Sequence, residues 1–143
     1  MKRSNYLKVK VFAIFLFFSL FLTFQVFPQS TPYETFENYR QALKEGDIKE
    51  YFSLITSESK KIVNPSKPLM RREYNDLKDL DFYVEKKSCC EAVIYFRPPS
   101  KKVPPYLLKK ENGIWKIDLK KMSQVYVFDT DNNWHYKERG GAK

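Results

Sequence analysis

The feature that most constrains the fold is a pair of alternating apolar stretches that meet at Asn112-Gly113. Asn-Gly between two such stretches is the strongest short-range signal for a β-hairpin, because both turn residues must take positive φ. A three-residue loop would shift the first strand by one residue. We prefer a two-residue loop because it places the apolar side chains on one face, with the pairs Lys110–Trp115, Leu108–Ile117 and Tyr106–Leu119.

A separate segment is predicted at residues 1–30. Four basic residues and no acidic residue precede the uncharged stretch VFAIFLFFSLFLTF at residues 11–24. This is the layout of a secretory signal peptide, and even extended to Phe27 it is shorter than the roughly 20 residues that span a bilayer. Cleavage after Ser30 would leave Pro28 at the −3 position, where a small residue is preferred. We therefore predict an exported protein, periplasmic or secreted, with an uncleaved membrane anchor at residues 11–27 as the alternative and a cytosolic protein as the least favoured.

Composition predicts one globular domain after this segment. The chain has 26 Lys and Arg, four of them in the leader, which leaves 22 against 17 Asp and Glu in residues 31–143. This length is enough for a single core, and the aromatic content of 17% is high. Export and the interleaved acids argue against nucleic acid as a partner. Six pairs of adjacent basic residues predict a solvated surface, with an anion-facing rim as the alternative.

Two helices joined by a Gly-Asp corner are predicted at the start of the domain. Residues 31–34, Thr-Pro-Tyr-Glu, form a capping-box pattern with proline at the first helical position. Gly46 is placed to end this helix in a left-handed conformation, and Asp47 can cap the next. Apolar residues recur at helical spacing: Tyr33, Phe36, Tyr39 and Leu43 in the first helix, then Ile48, Tyr51, Phe52 and Ile55 in the second.

The rest of the domain reads as a third helix and a set of strands. The strand at residues 91–97 is apolar on both faces, so it is covered on both or lines a cavity on one. In chain order we predict a loop or short broken element at 59–68, a helix at 70–80, strands at 81–87 and 91–97, the hairpin, a strand at 124–128, a turn at 129–133 and a return strand at 134–138.

The helices around Gly46-Asp47 and the strand carrying Gly113-Ile-Trp115-Lys-Ile117 resemble, in order and spacing, the nuclear-transport-factor-2-like superfamily. More narrowly, the chain looks like small exported bacterial members of unassigned function. The resemblance rests on residues 33–55 and 106–119. It implies a single domain at residues 31–143 with an α+β fold, in which a strongly curved antiparallel sheet wraps the N-terminal helices in a cone-like, cystatin-like topology. In many members the mouth of this cone holds a ligand.

Catalytic members of that superfamily, such as ketosteroid isomerases, polyketide cyclases and dehydratases, use an Asp or an Asp–His pair deep in the cone. Such chemistry needs a carboxylate or imidazole tuned by burial. Here the lone histidine, His135, lies in the tail and is predicted to be on the surface. Asp81 and Asp118 lie at strand ends, where capping or solvated roles are expected. We assign no catalytic residue, and a non-enzyme is preferred.

The leading functional hypothesis is a non-catalytic exported binding or interaction module that holds a small apolar ligand in a cone-shaped pocket. The first alternative is a structural or envelope-assembly protein acting through protein–protein contacts, as a homodimer or with an envelope partner. The second is an isomerase-like or cyclase-like enzyme. A closed core with an exposed apolar sheet face would favour the protein–protein role. A buried carboxylate that faces a cavity would favour the enzyme. Candidate pocket residues are Phe36, Tyr39, Phe52, Tyr95 and Trp115, although sheet packing is preferred for the last.

Cys89-Cys90 is the one candidate redox site. We prefer one buried and one exposed thiol, with a vicinal bridge and an intermolecular disulfide as alternatives in an oxidising compartment. No metal site is predicted, because only His135 could add a further soft ligand. Residues 129–133 resemble the start of a calcium loop, but Trp134 stands where glycine is needed. No cofactor is predicted.

Overall fold

A computed structural model describes residues 30–138. The predicted leader and the apolar stretch at 11–27 lie outside the described residues, apart from Ser30 at its end. Within residues 30–138, no helix is both long and apolar enough to cross a membrane. The helices are α1 (Pro32–Glu45), α2 (Ile48–Leu54), α3 (Ser57–Lys60), α4 (Lys67–Leu77) and α5 (Leu119–Val125). The strands are β1 (Asp81–Lys86), β2 (Glu91–Arg97), β3 (Tyr106–Glu111), β4 (Ile114–Ile117), β5 (Tyr126–Phe128) and β6 (Trp134–Tyr136).

The predicted Gly-Asp corner is confirmed. Thr31 accepts a hydrogen bond from the Glu34 amide while the Glu34 carboxylate accepts one from the Thr31 amide, so the capping box is complete. Gly46 ends α1 at φ 66°, in the left-handed region, and Asp47 caps α2 through the Glu50 amide. Each cap stabilises its helix by about 1 kcal/mol, and together they set the angle between α1 and α2.

The first four strands form one antiparallel sheet in the order β1-β2-β3-β4. The hairpin of β3 and β4 has the predicted two-residue loop, with Asn112 at φ 51° and Gly113 at φ 78°. Its register pairs Leu108 with Ile117 and Lys110 with Trp115, as predicted. The third predicted pair, which involves Leu119, does not form because β4 ends at Ile117 and the chain turns into α5.

Helices α1 and α2 pack on one face of this sheet, which we call the inner face. Its side chains alternate with those of the opposite, outer face, so Ala92, Ile94 and Phe96 of β2 are buried under the helices. The α+β class with N-terminal helices and an antiparallel sheet is therefore as predicted. The core contains Phe36, Tyr39, Ala42, Leu43, Tyr51, Leu54, Ile55, Met70, Leu77, Ala92, Ile94, Phe96, Val103, Tyr106, Leu108, Trp115 and Ile117.

Two members of the helical stripes lie at the edge of the core. Tyr33 and Ile48 share the helical spacing of the core residues but are 52% and 36% exposed. Both lie in the first turn of their helices, next to the N-cap, where the chain enters from the surface. Helical periodicity places a residue on a face of the helix, but it does not say how far along the helix the neighbouring elements reach.

The C-terminal region contains a helix that periodicity did not predict. Asp118 accepts a hydrogen bond from the Lys121 amide and starts α5, so the strand expected at 124–128 begins only at Tyr126. The expected turn and return strand follow, since β5 and β6 pair as a separate antiparallel hairpin. Asp129 closes its turn by accepting hydrogen bonds from the amides of Asp131 and Asn133.

Candidate ligand-binding site

The five predicted pocket residues do not meet in one cavity. Phe36 and Tyr39 are fully buried in the core, Trp115 is 4% exposed on the inner face, and Phe52 is half-buried beside the core. Tyr95 lies on the outer face, because it sits between the inward-facing Ile94 and Phe96 along β2. The sheet therefore separates Tyr95 from the other four.

Aromatic packing fills the space between α1 and the sheet. The centroid of the Phe36 ring lies 4.9 Å from that of Phe82, 5.1 Å from that of Tyr106 and 6.1 Å from that of Phe96. These separations are those of directly packed rings. The centre of the inner face is accordingly a close-packed core, and Trp115 contributes to it as expected of sheet packing.

An open groove on the outer face has a volume of about 660 Å³, within the range of small-molecule sites. Its floor is formed by Val93, Tyr95 and Leu107 of β2 and β3. Its opposite wall is formed by the end of α5 and the β5–β6 hairpin. The complete lining is Val93, Tyr95, Leu107, Gln124, Val125, Tyr126, Tyr136, Lys137 and Glu138.

Trp134 holds this hairpin against the rest of the molecule. Its indole Nε1 donates a hydrogen bond to the Ser100 carbonyl at 2.7 Å, and its backbone amide donates to the Lys101 carbonyl at 3.0 Å. Its ring packs edge-on against Tyr126 and Tyr136, at 5.4 Å from each centroid. The width of the groove therefore depends on contacts between β6 and the connection that follows β2.

The groove combines an apolar body with a polar mouth. Burial, together with the neighbouring hydroxyl of Tyr136, raises the pKa of Tyr126, so its phenol stays protonated and can donate or accept a hydrogen bond. Gln124, Lys137 and Glu138 are exposed at the other wall and carry one positive and one negative charge. The chemistry matches a ligand with an apolar body and an uncharged polar end.

A second polar site was missed by the sequence analysis. The Glu73 Oε1 atom accepts hydrogen bonds from the hydroxyl groups of Tyr39 at 2.8 Å and Tyr106 at 2.6 Å, which joins α4 to α1 and β3. The spacing of Met70, Glu73 and Leu77 could have indicated this site, because it places Glu73 on the apolar face of α4. A carboxylate at such a position requires buried donors.

Burial raises the pKa of every member of what we call the Glu73 cluster, which consists of Glu73, Tyr39, Tyr51 and Tyr106. It raises the pKa of the Glu73 carboxyl, while the two tyrosine hydrogen bonds oppose that rise. Burial and the nearby carboxylate raise the pKa values of Tyr39 and Tyr106 well above the usual range, and burial raises that of Tyr51 to about 12. The tyrosines are therefore protonated donors at any physiological pH.

The cysteines occupy the turn between β1 and β2, and both are exposed. The prediction of one buried thiol is wrong, because residues 88–90 leave the strand conformation and the side chains no longer alternate between faces. The two Sγ atoms lie 2.6 Å apart as free thiols. The hydrogen bond between the two sulfur atoms holds the proton on Cys90 and raises the pKa of its thiol.

The remaining polar candidates have structural roles. His135 is exposed, and its Nε2 lies 2.8 Å from Asp129 Oδ2 in the β5–β6 turn. This contact and two backbone amides lower the pKa of Asp129 to about 2. Asp118 caps α5, and Asp81 accepts a hydrogen bond from the Phe82 amide. Across residues 30–138, no three His, Cys, Asp or Glu side chains cluster as metal ligands would.

Comparisons of this chain with protein-family models, with curated proteins and with solved structures found no match.

Proposed function

We propose that this protein is a non-catalytic binding module that holds a small amphipathic molecule in the outer-face groove. The observation that carries the proposal is the groove itself, about 660 Å³ between the sheet and the β5–β6 hairpin, with apolar walls and tyrosine hydroxyls. Val93, Leu107 and Val125 contact the apolar body of the ligand. Its polar end lies at the mouth, near Gln124 and Lys137.

The pocket in this proposal differs from the cone-shaped pocket that the resemblance implies. The close-packed rings around Phe36 argue against a ligand in the centre of the inner face. The cone-like, cystatin-like topology and membership of the nuclear-transport-factor-2-like superfamily are part of the same proposal, supported by helices that precede an antiparallel sheet. Export to the periplasm or medium is likewise proposed, on the leader pattern alone.

The test uses N-phenyl-1-naphthylamine, an uncharged apolar fluorophore, added to the full-length protein. We expect a saturable rise in fluorescence from one site per chain. In Leu107→Trp, an indole fills the floor of the groove and should abolish this signal. Ile114→Trp is the matched control, because Ile114 is 51% exposed on the neighbouring strand and does not line the groove.

The comparison of the two tryptophan variants decides the outcome. Binding that survives Leu107→Trp, or that is lost equally in Ile114→Trp, would show that the probe does not occupy the groove. Circular dichroism of both variants checks that each retains the fold. Native mass spectrometry of the protein isolated from its own source, without reducing agent, would then identify a retained molecule by its mass.

A protein–protein role is the second candidate, favoured by exposed apolar side chains on the hairpin. Phe128 and Tyr136 are 48% and 61% exposed on one face of the β5–β6 hairpin, and Val127, which is 43% exposed, lies on its other face. Exposed apolar side chains close together at one end of a small domain are typical of an interaction surface. If it joins two copies, light scattering should give a dimer mass that Phe128→Ser reduces to that of the monomer.

An isomerase-like or cyclase-like enzyme is the third candidate, favoured by the Glu73 cluster. A carboxyl group whose pKa is raised by burial can exchange a proton closer to neutral pH than an exposed one. The hydrogen bonds of Tyr39 and Tyr106 both go to the same oxygen and hold the group in place. Turnover of a ketone substrate that disappears in Glu73→Gln would support this candidate.

A further inference from the structure

A cavity of about 240 Å³ lies beside Glu73, on the helical side of the sheet and away from the outer-face groove. It is formed by α2, by the segment that precedes α4, and by the first two turns of α4. The walls are mainly apolar, and the one charged side chain among them is that of Glu73. The lining residues are Tyr51, Val63, Asn64, Pro65, Leu69, Met70 and Glu73.

The two carboxylate oxygens of Glu73 have different surroundings. Oε1 accepts both tyrosine hydrogen bonds, at 2.8 Å and 2.6 Å, whereas Oε2 has no partner among residues 30–138. Within this part of the chain, Thr35 Oγ1 is the only fully buried side-chain polar atom that lacks a hydrogen bond. Oε2 is therefore not sealed inside the core. Glu73 lines the cavity, so a group bound there lies next to this carboxylate.

Within the part of the chain that the structure describes, no cationic side chain pairs with this carboxylate. Burial raises the pKa of the Glu73 carboxyl, while two hydroxyl donors on one oxygen oppose that rise by favouring the ionised form. The 2.6 Å distance is typical of a hydrogen bond to a charged oxygen. None of the ion pairs formed within residues 30–138 involves Glu73. A largely buried carboxylate without a cation costs free energy. Its natural complement is a cationic hydrogen-bond donor that reaches Oε2 through the cavity.

We propose that the Glu73 cavity binds a small primary ammonium compound, whose –NH₃⁺ group donates a hydrogen bond to Oε2. The side-chain oxygens of Asn64 and Tyr51 can accept its other N–H groups. The carbon chain of the ligand lies against Val63, Leu69 and Met70. The volume is below that of sites for drug-sized molecules, so the ligand is a short alkylamine or a compound of similar size.

The test titrates the full-length protein with n-pentylamine by calorimetry at neutral pH. The comparison compounds are 1-pentanol, which has the same chain without charge, and pentyltrimethylammonium, which has the charge without an N–H donor. We expect saturable binding of the amine that is about tenfold or more tighter than binding of either comparison compound. Equal binding of the alcohol or of the quaternary ion would overturn the proposal.

Substitutions locate the binding. Glu73→Gln keeps an oxygen for both tyrosines but removes the charge, and should weaken pentylamine binding about tenfold or more. Asp79→Asn is the matched control, because it removes one negative charge from an exposed position just after the same helix. Unchanged affinity in Glu73→Gln, or an equal loss in Asp79→Asn, would refute the assignment.

A third variant leaves the core untouched. Leu69 is 58% exposed at the rim of the cavity, so Leu69→Lys places an ammonium group there without disturbing the Glu73 cluster. We expect this variant to lose pentylamine binding by direct competition and repulsion, and to keep the groove signal from the naphthylamine probe. Retained pentylamine binding would contradict the proposal even if Glu73→Gln did not fold.

Discussion

Truncation of Trp134 should release the β5–β6 hairpin and open the groove. Two strands of three residues are not stable alone, so the hairpin depends on its contacts with the rest of the molecule. Trp134→Phe keeps a ring between Tyr126 and Tyr136 but removes the indole hydrogen bond to Ser100, which costs about 1 kcal/mol. Trp134→Ala also removes two ring contacts and the buried surface, for a total of about 3 kcal/mol.

Hydrogen exchange measures these losses directly. The Lys137 amide donates to the Val125 carbonyl at 2.8 Å, so its exchange reports opening of the hairpin. Since each 1.4 kcal/mol is a factor of ten, its exchange should become about fivefold faster in Trp134→Phe and about a hundredfold faster in Trp134→Ala. The Lys110 amide, which donates to the Cys90 carbonyl within the main sheet, is the internal control and should change little.

Two results would refute this reasoning. Unchanged exchange at Lys137 in Trp134→Ala would mean that the indole does not hold the hairpin. Equal acceleration at Lys110 would mean that the hairpin opens only when the whole domain unfolds. If the reasoning is correct, the alanine variant also loses naphthylamine fluorescence, because one wall of the groove is no longer in place.

Three further predictions concern other sites. Burial raises the pKa of Glu73 in the folded state, so its contribution to stability is present below the unfolded pKa and is lost as pH rises through the folded pKa. The free energy of unfolding of Glu73→Gln, measured with urea, should therefore increase relative to that of the wild type as pH rises from about 4 to 7. A difference that stays constant with pH would contradict this. Gly46→Ala forces alanine to φ 66° and brings its Cβ to 3.1 Å from Lys67 Cγ, which should lower the free energy of unfolding by about 1–2 kcal/mol; an unchanged urea midpoint would argue against this. Cys89→Ala removes the hydrogen bond that raises the pKa of Cys90, so iodoacetamide should alkylate Cys90 faster at neutral pH, and a slower rate would count against the stated cause.

Features that depend on a few adjacent residues were predictable from the sequence. The caps at Thr31 and Asp47, the left-handed Gly46 and the Asn112-Gly113 turn each follow from the chemistry of two to four neighbouring side chains. The hairpin register follows as well, because a shift of one residue would turn its apolar side chains to the other face. These local preferences agree with the final fold.

The candidate sites were much less predictable. The five aromatic residues proposed for one pocket were chosen by residue type, and type does not say on which side of the sheet a ring lies. Tyr95 faces outward only because Ile94 and Phe96 are taken by the core, and its groove exists only because Trp134, 39 residues later in the chain, fixes the hairpin over it.

The sequence by itself determined the caps and start of the first two helices, how the central hairpin pairs, and the mixed helix and sheet class. Only the tertiary structure decided which polar groups lie close together. The helical spacing places Glu73 at an apolar-face position, but only the packing of α1 and β3 brings the hydroxyl groups of Tyr39 and Tyr106 to the same oxygen. The physical reason is range: caps and turns act over a few residues, whereas burial and its effect on a charge depend on elements far apart in the chain.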